Sequence, residues 1–384
     1  MNKIKVGIIG TGFIGVAHIE AIRRLGFVEV IAIAESNLEL AEKKAKQLSI
    51  PLVYDSVDKL LANPDIQAVH NCTPNHLHAE INKKIIQSGK HVFSEKPLCL
   101  TADEADELVK LATQHQVIHG VSFVYRNFAM VQQAADMIRQ QELGRIFNVH
   151  GSYLQDWLLF DTDYNWRIDH KIGGASRAVA DIGSHWCDTI QFVTGKKIVA
   201  VFADLTTVHP VRKEGKNQET FTNTQNINKE YIEKPVTTED YGMILLHFED
   251  GSKGSFIVSQ VSAGHKNDFV FNIDGNQKSL HWEQENPQYL KIGYRQKANQ
   301  ILCDDPSLVN ASVAPNIHFP GGHIDGWHDA FTNMLQKFYR FIAENKQINK
   351  DPVDFATFTE GAYIVHIVEA ILQSAKTEKW VNVT

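Results

Sequence analysis

The chain has 384 residues, a formal net charge of −7 and four cysteines, and 22% of its residues are charged. These values are typical of a folded protein of about two domains and argue against a disordered one. The acidic balance argues against nucleic-acid binding, and no apolar run approaches the ~18 residues that a membrane helix needs. Because the cysteines are scattered without a C-x-x-C pair, we expect reduced thiols and a cytoplasmic protein.

Short apolar strands alternate with amphipathic helices over the first part of the chain. Strands are predicted at residues 5–9, 28–34, 67–73, 90–94 and 116–122, with helices between them. Two S/T-x-x-E capping boxes, Ser36 to Glu39 and Thr101 to Glu104, mark predicted helix starts. Strands that are buried on both faces and joined by helices predict a parallel, doubly wound sheet.

The pattern changes after about residue 125. A helix is predicted at 128–141, followed by strand-like runs at 146–154, 197–207, 241–248, 253–262, 268–274 and 278–283. Turns such as Glu249-Asp250-Gly251 predict hairpins and an antiparallel sheet. The polar segment 211–235 is expected to be a mobile excursion, and two further helices are predicted at 325–345 and 354–376. We therefore expect an α/β chain with domains at 1–124 and 125–384, the second of the α+β type.

A glycine-rich turn follows the first predicted strand and opens the first predicted helix. It reads Gly10-Thr11-Gly12-Phe13-Ile14-Gly15, which has the G-x-G-x-x-G spacing. In dinucleotide-binding folds the first glycine permits the tight turn, the second admits the pyrophosphate, and the third lets helix and strand pack closely. The phosphates bind the free N–H groups at the helix N-terminus. The alternative is a turn that serves packing alone.

Glu35 supports the cofactor interpretation. It ends the second predicted strand about twenty residues beyond the third glycine, where an acidic side chain accepts a hydrogen bond from a ribose 2′-hydroxyl. A carboxylate there repels a 2′-phosphate, so the sequence favours NAD over NADP. The small polar residues Ser36 and Asn37 leave NADP open as a second cofactor.

Polar residues also follow the next two predicted strands, where ligands of doubly wound sheets bind. One strand continues into Thr73-Pro74-Asn75 with His76 and His78, and the other into Glu95-Lys96-Pro97. At a helix start His76 and His78 point apart, which argues against a metal site. Lys96, between a buried strand and a proline, is a candidate to polarise a carbonyl or orient a hydroxyl. A solvated lysine at a strand end has the same spacing.

Asp181, His185 and Asp188 lie at positions i, i+4 and i+7, which share one face of a helix. Their neighbours are largely apolar, and ionisable groups in such a helix are costly unless they are paired or functional. Histidine is the natural proton acceptor near neutral pH, and a carboxylate can fix its tautomer. Gly183 is expected to leave space for a ligand. The pattern fits a catalytic histidine, and it fits a satisfied core His–Asp pair equally well.

Together these motifs resemble the glucose–fructose oxidoreductase/inositol dehydrogenase (Gfo/Idh/MocA) family. The resemblance rests on the glycine-rich turn, on Thr73-Pro74-Asn75 with His78, on Glu95-Lys96-Pro97 and on Asp181-x-Gly183-x-His185, in the family's order. It implies an NAD(P)-dependent dehydrogenase of sugars, inositols and related polyols. It also implies an N-terminal Rossmann domain and a second domain with an open, mainly antiparallel sheet, whose outer face makes a homodimer or homotetramer.

The resemblance further implies roles for individual residues. Lys96 is similar to the family's lysine that contacts both nicotinamide ribose and substrate. His185 resembles the general base, and Asp181 holds the substrate and the histidine. Cofactor contacts are implied for Gly10, Thr11, Gly12, Phe13, Ile14, Gly15, Glu35, Ser36, Thr73, Pro74, Asn75, His78, Glu95, Lys96, Trp166 and Arg167. Substrate contacts are implied for Tyr125, Arg126, Asp156, Trp157, Arg167, Asp181, His185 and His323.

A metal site is an alternative function for four residues that carry ligand-type side chains: His323, Asp325, His328 and Asp329. The Pro-Gly-Gly sequence before them and the apolar helix after them favour a pocket loop and a helix start, so we expect no metal. The predicted reaction is hydride transfer between nicotinamide and a secondary alcohol carbon of a sugar or polyol. Two alternatives stay open: an NAD-dependent glycosidase on the same scaffold, and a non-catalytic NAD- or sugar-binding regulator.

Overall fold

The computed structural model describes residues 3–215 and 231–384. The chain divides into two compact units. The first comprises Met1–Phe128 and Gly326–Val365, and the second comprises Ala129–Asp325 and His366–Thr384. Each unit is built around its own sheet. No helix in the described part of the chain is long and apolar enough to cross a membrane.

Six short strands form the sheet of the first unit: β1 (Ile4–Ile9), β2 (Val28–Ala34), β3 (Leu52–Tyr54), β4 (Ala68–Asn71), β5 (His91–Ser94) and β6 (His119–Val121). Their order is β3-β2-β1-β4-β5-β6, and every pair is parallel. Val6, Ile8 and Val69 are fully buried in the centre of this sheet. The prediction of a doubly wound parallel sheet is therefore confirmed.

The helices of the first unit are α1 (Phe13–Leu25), α2 (Leu38–Leu48), α3 (Val57–Leu61), α4 (His78–Gln87), α5 (Ala102–His115) and, later in the chain, α9 (Trp327–Ala343). The capping box predicted at Thr101 and Glu104 is confirmed at the start of α5. The capping box predicted at Ser36 is wrong. Asn37 is in the extended conformation and its side chain accepts from the N–H of Leu40 at 3.0 Å, so the cap lies one residue later.

The second unit contains a nine-stranded sheet. Its strands are β7 (Ile146–Leu154), β8 (Ile198–Thr206), β11 (Tyr241–Phe248), β12 (Lys253–Ser259), β13 (Asp268–Gly275), β14 (Ser279–Glu283), β15 (Tyr289–Gly293), β16 (Gln300–Cys303) and β17 (Val381–Asn382). The order is β16-β15-β14-β13-β7-β12-β11-β8-β17. Only β7 and β12 pair in parallel among these described strands, so the expected mainly antiparallel sheet is confirmed.

A separate hairpin corrects the prediction for residues 211–235. Strand β9 (Val211–Gly215) pairs antiparallel with β10 (Tyr231–Pro235), from Val211 opposite Pro235 to Gly215 opposite Tyr231. The two ends of the predicted excursion are therefore ordered strands. Residues 216–230 lie outside the described residues.

The helices of the second unit are α6 (Ala129–Arg139), α7 (His170–Gly173) and α8 (Ser184–Thr194), and α10 (Phe358–Thr377) ends in it. A π-helical turn, Val179–Gly183, precedes α8. The predicted regular helix is thus wrong for the turn that carries Asp181. Gly183 faces the sheet, because a Cβ there would lie 3.4 Å from Phe256 and from Val258. The expectation that Gly183 leaves space for a ligand is also wrong, because its open side faces these sheet residues.

Candidate active site

The glycine-rich turn between β1 and α1 is tight on one side and open on the other. Gly10 has φ +88°, and a Cβ there would lie 2.6 Å from the Cys72 carbonyl oxygen. A Cβ on Gly15 would lie 2.1 Å from the Gly10 carbonyl oxygen, whereas a Cβ on Gly12 would meet nothing within 4 Å. No side chain caps the N-terminus of α1 at Gly12. The turn therefore leaves space at the N-terminus of α1, where backbone N–H groups can bind a phosphate group.

Glu35 lies beside this turn at the end of β2. Its Oε1 accepts hydrogen bonds from the Thr11 backbone N–H and, at 2.6 Å, from the Thr11 hydroxyl. Ser36 is exposed, Ile14 is half-buried, and the side chain of Phe13 is exposed at the first turn of α1. An uncapped helix N-terminus, an open glycine and a carboxylate at the end of the second strand together fit NAD.

His78 connects the two loops that follow β4 and β5. Its ring nitrogens lie 2.8 Å from the Thr73 carbonyl oxygen and 2.6 Å from the Pro97 carbonyl oxygen. The ring is buried, and burial lowers its pKa despite these two hydrogen bonds. Thr73 is fixed separately by Asn71, whose Oδ1 accepts from the Thr73 hydroxyl at 2.7 Å. His78 thus lies beneath the loops and positions them, while Pro74 and Asn75 are half-buried.

Glu95 is the end of a buried series of hydrogen-bonded groups in the first unit. Its Oε1 lies 2.9 Å from His18 Nε2, the two Nδ1 atoms of His18 and His70 are 2.6 Å apart, and His70 Nε2 contacts the Tyr339 hydroxyl. Burial raises the pKa of Glu95, but the hydrogen bond and charge of His18 and the charge of Lys96 outweigh it, giving about 2. Glu95 is therefore an ionised group beside Lys96.

Lys96 itself is half-buried after β5. Its backbone N–H donates to Glu95 Oε2 at 3.2 Å, and the Lys96–Pro97 peptide bond is cis. The charge of Lys96 helps to lower the pKa of Glu95, so Lys96 lies near this ionised carboxyl group at the end of β5.

Tyr125 and Arg126, predicted to line the substrate pocket, are both buried in the first unit. The Tyr125 ring stacks on Phe128 with centroids 5.9 Å apart. The charge of Arg126 affects the pKa of Glu360. Burial raises the pKa of this carboxyl group, but a hydrogen bond from Thr357 and the charge of Arg126 lower it overall. Their proposed contact with substrate stays a prediction.

Asp181, Arg167 and Gln260 are brought together in the second unit. Asp181 Oδ2 accepts from Gln260 Nε2 at 2.8 Å, and Asp181 Oδ1 is 3.9 Å from Arg167 Nε. The Arg167 guanidinium also lies over the Trp166 ring, 4.4 Å from its centroid. About a fifth of each of the Arg167 and Asp181 side chains is exposed. A carboxylate and a guanidinium held this way can accept from and donate to neighbouring sugar hydroxyls.

His185 is the second residue of α8 and is 7% exposed, and Asp188 is 1% exposed one turn further on. The π-helical turn before α8 is held by Glu239. This buried carboxylate accepts from the Ser176 hydroxyl at 2.6 Å and from the N–H groups of Arg177 and Val179 at 2.9 Å each. The turn carrying Asp181 is therefore shaped by a group from a distant part of the chain.

The remaining predicted substrate residues differ in their surroundings. Asp156 Oδ2 accepts from Lys266 Nζ at 2.7 Å, and Trp157 Nε1 donates to Gln155 at 2.8 Å. Trp157 also packs on a small apolar cluster of Leu158, Ile168 and Val236. His323 is exposed, with Nδ1 3.0 Å from the Pro320 carbonyl oxygen. Asp156 and Trp157 are thus held by contacts within the second unit, whereas His323 lies on an exposed loop.

The four residues weighed as metal ligands make other contacts. Asp325 accepts from the His318 N–H at 2.9 Å, and Asp329 caps α9 through the Gly326 N–H at 2.8 Å and pairs with Arg24 at 2.6 Å. Within residues 3–215 and 231–384, no group of three or more His, Cys, Asp or Glu side chains is arranged to hold a metal ion.

Sequence reasoning missed Gln260, which contacts Asp181, and the buried charged residues next to it, Arg177, Asp240 and Arg212. They carry no motif, and Gln260 is 79 positions from Asp181 in the chain. The one available signal is that Arg177 and Arg212 lie in segments predicted to be a helix start and a polar loop. The residues next to them in the sequence do not indicate that either arginine is fully buried.

Two family models match the chain. One, described as an oxidoreductase family with an NAD-binding Rossmann fold, matches residues 4–123, and the other, the GFO/IDH/MocA C-terminal domain, matches residues 131–281. Levoglucosan dehydrogenase of Pseudarthrobacter phenanthrenivorans is 29% identical, and the alignment covers 100% of this chain and 99% of that protein. Glucose-6-phosphate 3-dehydrogenase of Bacillus subtilis is 24% identical, with 99% of each chain covered.

Solved structures give the same result for the fold. Levoglucosan dehydrogenase in complex with NADH and levoglucosan has a TM-score of 0.88 and 28% identity, and 100% of both chains is covered. Its complex with NADH and L-sorbose has a TM-score of 0.89 and 27% identity over the same full coverage. Because the two family models together match more than half of the chain, this protein belongs to the Gfo/Idh/MocA family of NAD-dependent oxidoreductases.

Proposed function

We propose that the protein oxidises a secondary alcohol carbon of a sugar or related polyol, with levoglucosan as the first substrate to test. The observation that carries this proposal is full-length similarity to a levoglucosan dehydrogenase, whose solved complexes contain NADH with a sugar. The pairing of Arg167 with Asp181, next to an aromatic side chain, supports it. Such groups suit a ligand that offers many hydroxyls and an apolar ring face.

Residues 1–124 would hold NAD, through the open Gly12, the N-terminus of α1 and Glu35. NAD, when bound, supplies the acceptor for the hydride that leaves the alcohol carbon. His185 accepts the hydroxyl proton, because a neutral imidazole is the side chain best matched to proton abstraction near pH 7. Lys96 stabilises the negative charge that develops on the oxygen. Asp181 orients the substrate hydroxyl.

We further propose a homodimer or homotetramer formed through the outer face of the second unit's sheet. Met243 on β11 lies opposite Ile257 on β12, and Leu245 lies opposite Phe202 on β8. Met243, Leu245 and Ile257 are 44–48% exposed on this face. An apolar group of this kind on one side of a sheet is typical of an interface. The scattered cysteines, none in a disulfide, support a reducing compartment such as the cytoplasm.

The test is a substrate panel with the purified enzyme. Levoglucosan, inositols, aldoses and ketoses are incubated with NAD or NADP, and NADH formation is followed with product analysis. We expect NAD-dependent turnover on at least one sugar, and a His185→Ala variant should lose about a hundredfold or more of it while binding NADH normally. His115→Ala, at the exposed C-terminal end of α5 in the first unit, is the matched control. Glycoside cleavage without net NADH would instead indicate a glycosidase, and NAD binding without any turnover a regulator.

A further inference from the structure

Gln260 is a buried glutamine that contacts the predicted catalytic carboxylate. It follows β12 and is fully buried. Its Nε2 lies 2.8 Å from Asp181 Oδ2, and its Oε1 lies 3.2 Å from Arg177 Nη1. A guanidinium can only donate hydrogen bonds, so the glutamine oxygen must face Arg177. The amide NH₂ group is therefore directed at Asp181, and the amide cannot flip without losing both contacts.

Arg177 is fixed in turn by a second carboxylate. Its Nη2 donates to Asp240 Oδ1, and both side chains are fully buried. Burial alone would raise the pKa of Asp240, but the charges of Arg177 and Arg212 outweigh it, so the pKa is lowered. Asp240 is therefore ionised. Moving Arg177 away from it would separate two fully buried opposite charges, which is strongly unfavourable.

Arg212 extends these contacts to a loop of the same unit. Its Nη2 donates to Asp240 Oδ1 at 2.7 Å and to the Leu158 carbonyl oxygen at 3.0 Å. Its Nη1 donates to the carbonyl oxygens of Phe160 and Asp163 at 2.9 Å each. These carbonyls belong to the loop between Trp157 and Trp166. One buried arginine thus holds the backbone of the loop that joins Trp157, a predicted substrate contact, to Trp166, a predicted cofactor contact.

We propose that Gln260 is a positioning residue for Asp181, and that Gln260, Arg177, Asp240 and Arg212 hold Asp181 and the 158–163 loop in one fixed arrangement for the reaction. The proposal rests on the proposed dehydrogenase function. A neutral amide donor fixes the orientation of one carboxylate oxygen without neutralising the carboxylate. The other oxygen lies 3.9 Å from Arg167 Nε, and in this proposal it is the one that orients a substrate hydroxyl.

The test compares two variants of Gln260 with a matched glutamine. Gln260→Ala removes both contacts, and Gln260→Glu keeps the size and the contact with Arg177 but cannot donate to Asp181. Gln191 is the control, because its Oε1 accepts from the Ile198 N–H at 3.0 Å in the same unit without touching Asp181. Each enzyme is assayed for sugar kcat and KM, for NADH Kd and for its melting temperature.

For Gln260→Ala we expect kcat to fall about ten- to a hundredfold, the range of one hydrogen bond to a charged group. KM for the sugar and Kd for NADH should change less than about threefold, and Gln191→Ala should keep the original kcat. Gln260→Glu should lose at least as much, because it opposes two carboxylates. If Gln260→Ala does not fold, the kcat of Gln260→Glu still tests the proposal.

Two results would overturn the proposal while leaving the proposed function intact: either Gln260 variant retaining the original kcat, or an effect confined to KM. A fall in kcat of equal size in Gln191→Ala would show a general structural effect and would also overturn it. If the unsubstituted enzyme turns over no sugar at all, the proposed function fails and this proposal fails with it.

Discussion

The glycine-rich turn allows cofactor binding to be separated from folding by two substitutions three residues apart. In Gly12→Ala the added methyl group has no neighbour within 4 Å, so the fold can accept it. In Gly15→Ala the methyl group would lie 2.1 Å from the Gly10 carbonyl oxygen, which belongs to the backbone and must shift. Overpacking of this kind costs about 1–3 kcal/mol or more, whereas alanine at the helix N-cap costs at most about 1 kcal/mol relative to glycine.

The expected results follow from those costs. Gly12→Ala should melt within a few degrees of the original protein but bind NADH at least about tenfold more weakly, or about 1.4 kcal/mol, because its methyl group occupies the approach to the α1 N–H groups. Gly15→Ala should lower the melting temperature by about 5–10 °C, at roughly 2–4 °C for each kcal/mol. Differential scanning calorimetry and NADH fluorescence titration measure the two effects. Unchanged NADH binding in Gly12→Ala would refute the reasoning.

Two further predictions concern acid stability and assembly. Burial lowers the pKa of His119 from 6.5 to about 4, and its Nδ1 accepts from the Phe358 N–H at 3.0 Å. Below pH 6.5 the unfolded chain protonates His119 whereas the folded chain keeps it neutral. The stabilisation linked to His119 is therefore complete above pH 6.5 and is lost as the pH falls towards 4. The loss in the free energy of unfolding between pH 7.5 and 5.5 is about 1.3 kcal/mol. His119→Asn keeps a hydrogen-bond acceptor that does not titrate in this pH range. Between pH 7.5 and 5.5 its free energy of unfolding should therefore fall by about 1.3 kcal/mol less than that of the original protein. An unchanged pH dependence would contradict this prediction. Leu245→Lys, in the centre of the proposed interface, should produce monomers by light scattering, while Leu40→Lys, at an exposed position on α2 of the first unit, should not; equal masses for both variants would argue against this interface.

Features that depend on neighbouring residues could be predicted from the sequence. The tight turn at Gly10 follows from a backbone angle that glycine adopts readily, and the helix start at Thr101 follows from a capping pattern four residues long. The fold class could be predicted in the same way, because the spacing of apolar residues within each segment distinguishes a strand from a helix.

Features that depend on distant residues could not be predicted. The π-helical turn at Asp181 forms where Glu239 accepts hydrogen bonds from three donors some 60 positions earlier in the chain. The polar composition of residues 211–235 predicts an excursion, although Arg212 in β9 is fully buried against Asp240. His18 and Glu95 likewise form a buried pair across 77 positions. Rules of local spacing do not describe contacts between residues so far apart in the chain.

The central claim is that the protein removes a hydride from a sugar carbon and transfers it to NAD. The most direct measurement uses a sugar identified by the panel, deuterated at its hydroxyl-bearing carbons, with NADH isolated and analysed by mass spectrometry. The account predicts one deuterium in each NADH formed, an equal amount of keto sugar, and loss of both products in His185→Ala but not in His115→Ala. Consumption of the sugar with no deuterium in NADH, or full turnover by His185→Ala, would contradict it.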